Sequence, residues 1–333
     1  MPGPQRVTGK DVAQRAGVSR ATVSYVLNDA AGQQISAATR ARVLVAAAEL
    51  GYTPHAAARQ LRTGVNDLIL MALPPWPLSH PFITCLSAVT ERVGALGYTA
   101  LVDLATLDVT GLEKTLARVQ PVALTASAQH LSEPLVNRLR AAGTRAVLGF
   151  GDRSLGFAPA VVFDQAAPIR VAMAHLASRG HRSVAAVMPS DPALEWFRHG
   201  RETATRQVAE EHGVALVVVE SPLDHDRVAE VVAGVLARSA PPDAILAYND
   251  DYALLALRSL IDAGVRVPDD VAVIGCDNTP AAGLFSPRLT TVEVDMSALG
   301  TLIADTLHDI LRTGEAPDVV PMPPPNVVVR DSA

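Results

Sequence analysis

The sequence predicts an all-α headpiece followed by an α/β core of two doubly wound lobes. Three short helical patterns follow one another in the first fifty residues. From Leu68 onward, short apolar runs alternate with helical patterns in two successive series, which is typical of parallel sheets covered by helices. The 333 residues are 49% hydrophobic and 19% charged, which provides enough apolar material for one or two cores and a small appended module.

The headpiece is predicted from helix caps and a glycine turn. Thr8 can cap the first helix, Gly17 permits the positive φ of a tight turn, and Ser19 can cap the second helix. The three predicted helices span Gly9 to Ala16, Arg20 to Leu27 and Ala37 to Leu50. The order of helix, glycine turn and helix indicates a helix-turn-helix motif.

The second helix carries the main candidate DNA contacts, because in such a motif it enters the major groove with its N-terminal residues against the base edges. Arg20 can bond two guanine acceptors at once, and Ala21 can offer a methyl group to thymine. Tyr25 lies one turn further along, on the same face as Ala21. The polar candidates for phosphates or neighbouring base edges are Thr8, Ser19, Thr22, Ser24 and Asn28. A capped surface helix without a nucleic-acid partner is the alternative interpretation.

The charge distribution favours a nucleic-acid partner for the headpiece alone. The whole chain carries a formal charge of -6. Residues 1–62 hold eight basic and three acidic side chains, a balance of +5, so the remainder carries -11. A basic head neutralises phosphates and releases counterions, while an acidic body stays off the DNA. A solvated basic face without a partner would have the same composition.

Two series of strands and helices are predicted in the core. The first series has strands over Leu68 to Leu73, Ala100 to Leu104, Val122 to Thr125, Ala146 to Gly149 and Val161 to Phe163. The second has strands over Val184 to Met188, Leu216 to Val219, Ala244 to Ala247 and Val271 to Ile274. Its helices are predicted over Pro168 to Arg179, Leu194 to His212, Arg227 to Ala237 and Ala253 to Asp262. Ligands of such sheets bind beyond the carboxyl ends of the strands, so a cleft between the lobes is the expected ligand site.

Membrane, exported and disulfide-rich classes are not expected. Three prolines within residues 74–77 interrupt the best candidate for a membrane span. Met1 to Lys10 lacks the apolar region of an export signal, so we expect a cytoplasmic protein. Cys85 and Cys276 lack C-x-x-C spacing and are expected to be free thiols rather than parts of a disulfide framework or a zinc site. We expect no cofactor.

An enzyme and a solute receptor are the rival classes. His175, His181 and the Asp250–Asp251 pair come without a nucleophile, base and orienting group at a defined spacing, and no phosphate-binding glycine motif occurs. We therefore expect no enzymatic activity. A solute-binding receptor would share the core but would have neither an export signal nor a use for the headpiece.

The headpiece resembles that of the LacI/GalR family of transcriptional regulators. The resemblance lies in VTGKDVAQRAGVSRATVSYVLND and ISAATRARVLVAAAELGYTPHAAARQLRTG. It implies that residues 55–61 form a hinge helix on operator DNA, with His55 at its start, Ala58 close to the minor groove and Leu61 as the wedge that kinks the central base step. Family members commonly carry Arg at the position of Tyr25, so a different operator half-site is expected here.

The core resembles the periplasmic-binding-protein-like core of the same family. The resemblance lies in AILAYNDDYALLALRSLIDAGVRVPDDVAVIGCDN and SPRLTTVEVD, among other stretches. It implies a headpiece over residues 1–50, a hinge helix and linker over 51–64, and a core over 65–333 for effector binding and dimerisation. The implied first lobe covers about 65–163 and 291–323, and the second about 164–290 and 324–333. The chain ends at Ala333 without an apolar heptad extension, so we expect a homodimer.

Effector contacts are carried over from the resemblance only where its pattern matches. Asn249 and Asp277 fall on effector-contacting positions, although strand-end Asn and Asp also cap helices and close turns. Phe82 is near an aromatic contact of the first lobe, but Phe is more often a core residue. Sugar-binding members usually carry Arg where this chain has Phe197, which is flanked by Trp196 and Arg198.

The resemblance implies a repressor that binds a palindromic operator as a dimer and is controlled by a small molecule in the cleft. Because Phe197 replaces a five-donor guanidinium, we expect a metabolite with a flat or apolar portion. In the alternative, Arg198 turns into the cleft and a sugar still binds. Double-stranded operator DNA, the effector and a second copy of the chain are the expected partners.

Overall fold

The computed structural model describes residues 7–27, 35–52, 66–104 and 108–333. The chain divides into a small unit, Met1–Asn66, and a large unit, Asp67–Ala333. Some of the predicted DNA contacts lie outside the described residues, namely Asn28, His55, Ala58 and Leu61.

The small unit contains the three predicted helices. They are α1 (Gly9–Ala16), α2 (Arg20–Leu27) and α3 (Ala37–Glu49), so the predicted helix-turn-helix is confirmed and α3 ends one residue early. Their buried faces pack together through small and β-branched side chains, which include Val12, Ala16, Val23, Val26, Val43 and Ala47. Small side chains let short helices approach closely, so this compact core holds α2 in a set orientation against α1 and α3.

The large unit consists of two lobes, each built on one six-stranded sheet. The sheet of lobe 1 contains β1 (Leu68–Ala72), β2 (Thr99–Asp103), β3 (Ala123–Ser127), β4 (Ala146–Gly151), β5 (Ala160–Val162) and β11 (Val319–Pro321). The sheet of lobe 2 contains β6 (Ser183–Pro189), β7 (Ala215–Ser221), β8 (Ala244–Ala247), β9 (Ala272–Cys276), β10 (Thr290–Glu293) and β12 (Asn326–Val328).

Helices cover both sheets. Those of lobe 1 are α4 (His80–Ala95), α5 (Val109–Val119), α6 (Glu133–Ala141) and α11 (Met296–Thr313). Those of lobe 2 are α7 (Ala166–Ser178), α8 (Glu195–His212), α9 (His225–Leu236) and α10 (Asp250–Asp262). Each sheet is flanked by two separate clusters of buried apolar side chains, one on each face. The predicted fold class of two doubly wound lobes is confirmed.

The two sheets have equivalent strand orders, β11-β5-β4-β3-β1-β2 and β12-β10-β9-β8-β6-β7. Neighbouring strands are parallel, with β1 between β2 and β3 in lobe 1 and β6 between β7 and β8 in lobe 2. The sixth strands differ, because β11 pairs parallel to β5 whereas β12 pairs antiparallel to β10. Parallel pairing places the carboxyl ends of all the central strands of a lobe at one edge of its sheet.

The structure corrects one implied boundary between the lobes. The chain was expected to return to lobe 1 at about Thr291, but residues 290–293 form β10 in the sheet of lobe 2. Thr290 is fully buried there and its backbone N–H donates to Ser332 Oγ at 2.8 Å. The crossing therefore follows Glu293, and α11 then packs extensively against α4 in lobe 1.

Within the described part of the chain, none of the helices combines the length and the apolar character that a membrane span requires. The same residues contain no cluster of His, Cys, Asp and Glu side chains arranged to hold a metal ion.

Candidate functional site

Local hydrogen bonds fix the start of α1 and the turn between α1 and α2. Thr8 donates to Asp11 Oδ2 from its backbone nitrogen at 2.8 Å and from its hydroxyl at 2.7 Å. The hydroxyl bond, followed by the backbone bond, lowers the pKa of Asp11. Gly17 has φ of 65° and ψ of 40°, the left-handed conformation that closes the turn, and Val18 N donates to Ala13 O at 3.0 Å.

The N-terminus of α2 presents the predicted base-reading residues to solvent. Arg20 and Ala21 are exposed, and Tyr25, one turn further along, is partly buried. Ser19 caps the helix, since its Oγ accepts from Thr22 N at 3.0 Å and lies 2.9 Å from Thr22 Oγ1. The helix therefore offers a guanidinium and a methyl group at an end whose free N–H groups favour phosphates.

Two further candidates lie among the described residues of the headpiece. Thr8 is exposed at the start of α1, and Ser24 lies half-buried on α2. Val23 and Val26 occupy the opposite face and are only 2% and 3% exposed. Burial of that face leaves α2 one orientation on the headpiece, with Arg20 and Ala21 on its exposed side.

The core contains a cavity of about 810 Å³ between its two lobes. It lies at the carboxyl ends of the strands, where residues that follow β1, β5, β6, β7, β8 and β9 line it. This is the edge where ligands of doubly wound sheets bind, and the volume is within the usual range of small-molecule sites.

Lobe 1 contributes an apolar side to this cavity. The residues that line it are mainly aromatic rings, leucines and methionines, and they include Leu73, Trp76, Phe82, Leu86, Phe150 and Met296. Among the described lobe 1 residues around the cavity, Ser79 and Thr125 are the hydroxyl-bearing ones. This side therefore offers few partners for polar ligand groups.

Lobe 2 contributes most of the polar groups. Those around the cavity include Asp164, Gln165, Asp191, Arg201, Asn249 and Asp277. Asp164 and Asp191 are committed to backbone N–H groups at the starts of the following helical segments. Arg201, Asn249 and Asp277 also line the cavity, from α8 and from the ends of β8 and β9.

Arg201 is held by three contacts within lobe 2. It donates from Nη1 to the carbonyl of Tyr248 and from Nε to Gln165 Oε1 at 3.3 Å, and its guanidinium lies 4.6 Å from the centre of the Tyr248 ring. Burial alone opposes its charge, but the nearby Cys276, Tyr248 and Asp277 groups outweigh this and raise the pKa of Arg201. The side chain remains a cation, and its contacts orient it.

Gly200 brings Arg201 to this position. A Cβ atom at Gly200 would lie 3.0 Å from Gln165 Cγ, so a larger residue would require the Gln165 side chain to shift. The absence of a side chain lets the helix pack closely enough for Arg201 to reach Gln165 and Tyr248.

Asp277 faces Arg201 across the end of β9. Burial raises the pKa of Asp277 to about 7, against the opposing effect of the Arg201 cation. Burial also raises the pKa of the adjacent Cys276 thiol to about 12, so this cysteine is neutral. Asp277 has a φ of 111°, which L residues rarely adopt, so the surrounding structure holds it in place.

A buried carboxylate supports the loop that carries Asp277. Asp250 is fully buried and accepts from Thr291 Oγ1 at 2.5 Å and from Thr279 N at 2.6 Å. Burial raises its pKa, while these hydrogen bonds lower it. A Cβ at Gly275 would lie 2.4 Å from Asp250 Oδ1, so glycine at that position makes room for the carboxylate. Asp250 thus joins α10, β10 and the loop after β9.

Asn249 combines both roles that the sequence left open. It is the N-cap of α10, where its Oδ1 accepts from Tyr252 N at 3.1 Å, and it also lines the cavity. Phe82, Phe197 and Asp277 line the cavity as well. Of the six residues predicted to contact the effector, these four lie around the cavity.

The other two, Trp196 and Arg198, are not among the residues that line it. Arg198 forms ion pairs with Glu220 Oε1 at 2.7 Å and Glu202 Oε2 at 3.2 Å. The sugar-binding alternative requires Arg198 to lie in the cleft, and the structure does not place it there. Among the described residues around the cavity, the basic side chain is Arg201, which the sequence interpretation missed. Its signal was the spacing, because Arg201 is four residues after Phe197 and shares its helix face.

Trp196 instead belongs to an aromatic cluster that joins the lobes. Trp76 of lobe 1 stacks on Trp196 with ring centroids 6.2 Å apart and an interplanar angle of 14°, and meets Phe197 edge-on at 4.9 Å. Trp76 also contacts Phe82 and Phe150 edge-on, at 6.3 and 5.7 Å. The two lobes therefore meet through rings beside the cavity.

Two protein-family models match the chain. One, described as bacterial regulatory proteins of the lacI family, covers residues 8–55. The other, described as a periplasmic binding protein-like domain, covers residues 173–333.

Several curated proteins are similar over nearly their whole length. The transcriptional regulator MalR of Streptomyces coelicolor is 30% identical, over 97% of this chain and 95% of that protein. The regulator DegA of Bacillus subtilis is 28% identical over 98% of each, and the lactose operon repressor of Escherichia coli is 29% identical over 93% and 86%. These relatives are named as regulators rather than as enzymes.

A solved structure of similar architecture is the lac repressor dimer bound to operator and an anti-inducer. It has a TM-score of 0.80 and 27% identity, and the match covers 98% of this chain and 99% of that one. The lac repressor bound to ONPG in the repressed state also has a TM-score of 0.80, at 26% identity over 99% and 100%.

Proposed function

The chain belongs to the LacI family of bacterial regulatory proteins and is a DNA-binding transcriptional regulator, and we propose that it represses transcription as a homodimer on a palindromic operator. A small molecule in the cleft between its lobes controls this binding. The relative whose solved structure is a dimer on operator DNA matches this chain over nearly its full length, which supports both the partner and the assembly.

The observation that carries this proposal is the N-terminus of α2. Arg20 and Ala21 are exposed there, on a helix whose other face is buried in the headpiece. In the proposed complex, Arg20 bonds a guanine and Ala21 meets a thymine methyl group, while Tyr25 contacts the next base edge. Contacts to phosphates or adjacent edges come from Thr8, Ser19, Thr22, Ser24 and Asn28.

The segment after the headpiece supplies the second part of the proposed interface. We assign the headpiece to residues 1–50, the hinge helix and linker to 51–64 and the core to the rest. His55, Ala58 and Leu61 are proposed to enter the minor groove, where paired leucines of a dimer wedge open the central base step. Such a wedge costs a few kcal/mol of unstacking, offset by the contacts that the bent DNA makes.

The cleft is the proposed effector site. An effector that prefers one arrangement of the lobes shifts the dimer toward that arrangement. The affinity of the hinge segments for the operator then rises or falls. The cavity at the carboxyl ends of the strands and the convergence of Arg201, Asn249 and Asp277 support this role.

Selection of DNA from a random pool tests the proposed function directly. We expect the protein to enrich a palindrome, and Arg20→Ala to relax the preference at one base pair of each half-site by about 1 to 3 kcal/mol. Arg42→Ala is the matched control, because Arg42 is an exposed arginine on α3 rather than on the base-reading helix. A protein that enriched no sequence would contradict the proposed function, and unchanged preferences in Arg20→Ala would remove that contact.

A further inference from the structure

The two sides of the cleft cavity differ in what they can bind. On lobe 1, the side chains around the cavity are chiefly apolar, and we call Trp76, Phe82, Leu86, Phe163 and Met296, which are all half-buried, the apolar wall. A ligand hydroxyl against this wall would lose its hydrogen bonds to water without replacement. A hydrocarbon ring or chain would bury its surface there.

The rim of the cavity also favours apolar ligand surface. Leu78 of lobe 1 and Leu223 of lobe 2 line it and are 57% and 55% exposed. Large exposed leucines around a cleft are typical of a site that accepts apolar surface.

Most of the hydrogen-bonding side chains around the cavity belong to lobe 2. Arg201, Asn249 and Asp277 lie together there, and we call them the polar end. The guanidinium of Arg201 is already bonded to Gln165 Oε1 and the Tyr248 carbonyl. Part of its hydrogen-bonding capacity is therefore already used within the protein, so an anionic ligand is not required to pair with it.

The charges around the polar end do not favour a charged ligand. Asp164, Asp191 and Asp251 also line the cavity from lobe 2, so a ligand carboxylate would meet several acidic groups. A ligand ammonium would meet the Arg201 guanidinium, while Asp164 and Asp191 are already bonded to backbone N–H groups and Asp164 also to Arg170. A neutral hydroxyl or amide avoids both repulsions and can both donate and accept.

We propose that the cavity takes a neutral amphiphile, with a hydrophobic ring or chain on the apolar wall and one hydroxyl or amide group at the polar end. The proposal rests on the function proposed above for the cleft, and it names the class of effector. Polyhydroxylated sugars are excluded by the apolar wall, because only one end of the cavity can replace their bonds to water.

Isothermal calorimetry on the full chain tests the proposal with four probes. The probes are 2-naphthol, 2-naphthoic acid, 2-naphthylmethylamine and glucose. We expect 2-naphthol to bind at least about tenfold more tightly than the charged naphthalenes, and glucose to give no binding heat. Tighter binding of glucose or of either charged probe, or no binding of 2-naphthol, overturns the proposal.

Two variants locate the binding site. Met296→Gln places an amide on the apolar wall and is expected to weaken 2-naphthol binding about tenfold or more. Leu78→Gln, at the exposed rim, tests the same surface with little risk to folding and is expected to weaken binding about threefold. Leu284→Gln is the control, since Leu284 is 86% exposed and does not line the cavity, and its affinity should equal that of the parent protein.

The outcomes separate this inference from the proposed function. Unchanged 2-naphthol affinity in both Met296→Gln and Leu78→Gln overturns the assignment of the apolar wall, whatever the protein does on DNA. Failure to select DNA from a random pool overturns the proposed function and leaves the calorimetry to be judged by itself.

Discussion

The two lobes of the core have equivalent sheets but different chemistry at the edge that faces the cleft. Corresponding strands β4 and β9 place Phe150 and Cys276 at the same position, and the next residues are Gly151 and Asp277. Likewise, Leu73 follows β1, whereas Ser190 follows the corresponding strand β6. Equivalent backbones thus present an apolar surface from one lobe and hydrogen-bonding groups from the other.

The fold and the side chains make different contributions to ligand binding. Parallel strands bring their carboxyl ends to one edge in either lobe, which determines where a ligand can sit. The residues at those ends determine what it can be. Lobe 2 also needs an internal polar network to hold its polar groups, and lobe 1 has a packed hydrophobic layer at the same place.

The largest expected effect concerns that network. Asp250→Ala should lower the free energy of unfolding by about 3 kcal/mol, because Thr279 N and Thr291 Oγ1 lose a buried acceptor. Urea denaturation of the parent protein and the variant measures this difference in the free energy of unfolding. Asp251→Ala is the matched control, since the neighbouring carboxylate is exposed, and a change within about 0.5 kcal/mol is expected. Equal losses in the two variants would show that lobe 2 does not depend on the buried carboxylate.

The corresponding glycines of the two sheets provide the next test. Gly149 and Gly275 are the fourth residues of β4 and β9. A Cβ at Gly275 would lie 2.4 Å from the buried Asp250 Oδ1, whereas one at Gly149 would meet the end of the Leu155 side chain at 2.5 Å, which can move. Gly275→Ala should therefore destabilise the protein by about 2 kcal/mol, and Gly149→Ala by less than about 1 kcal/mol. Thermal unfolding of both variants checks the ranking, and the reverse order would contradict it.

The pH dependence of stability distinguishes Asp277 from its lobe 1 counterpart, Gly151. Burial raises the pKa of Asp277 to about 7 in the folded protein, so the folded state binds more protons than the unfolded state between its ordinary pKa and about 7. The free energy of unfolding therefore falls as pH rises through this range and levels off above it.

Asp277→Asn should remove this contribution, which amounts to about 2 kcal/mol between about pH 5 and about pH 8. Urea denaturation of parent and variant at both pH values gives the difference. Asp251→Asn serves as the control for removal of a nearby acid. If parent and Asp277→Asn had the same pH dependence, the carboxyl would not be held in its neutral form.

The smallest expected effect concerns the rings that join the lobes. Trp76 and Trp196 are the two tryptophans of the chain and they stack on each other. Trp76→Leu should lower the free energy of unfolding by about 1 kcal/mol and alter the near-ultraviolet circular dichroism and emission of Trp196. Trp76→Phe retains a ring and should have roughly half the effect on stability. An unaltered Trp196 spectrum in Trp76→Leu would contradict the contact between the lobes.

Local patterns were sufficient to predict the elements of the fold. Caps at Thr8 and Ser19 and the turn at Gly17 located α1 and α2 to the residue, and the predicted strand Ala244 to Ala247 matches β8. Most other strands differ from the prediction by one or two residues at an end. The last three strands, β10, β11 and β12, were not predicted, because each is only three or four residues long and gives little periodicity to detect.

The cleft was less predictable than the fold. Asn249, Asp277, Phe82 and Phe197 were found from the resemblance, and all of them line the cavity. Arg201 was missed in favour of Arg198, because the sequence FRHGR contains two arginines and their exposure is decided by neighbours far along the chain. Arg198 forms an ion pair with Glu220 outside the cavity, whereas Arg201 is bonded to Gln165 and Tyr248 and lines it.

The sequence by itself determined the order of the helices and strands, the basic headpiece and the two repeated α/β lobes, because these depend on caps, periodicity and composition within short segments. The tertiary structure alone decided which side chains meet in the cleft, how the apolar and polar sides are divided, and that Trp76 stacks on Trp196. Those features depend on burial and on contacts between residues that are distant in the sequence, from 22 positions for Arg198 and Glu220 to well over that for Trp76 and Trp196, and no local pattern encodes them.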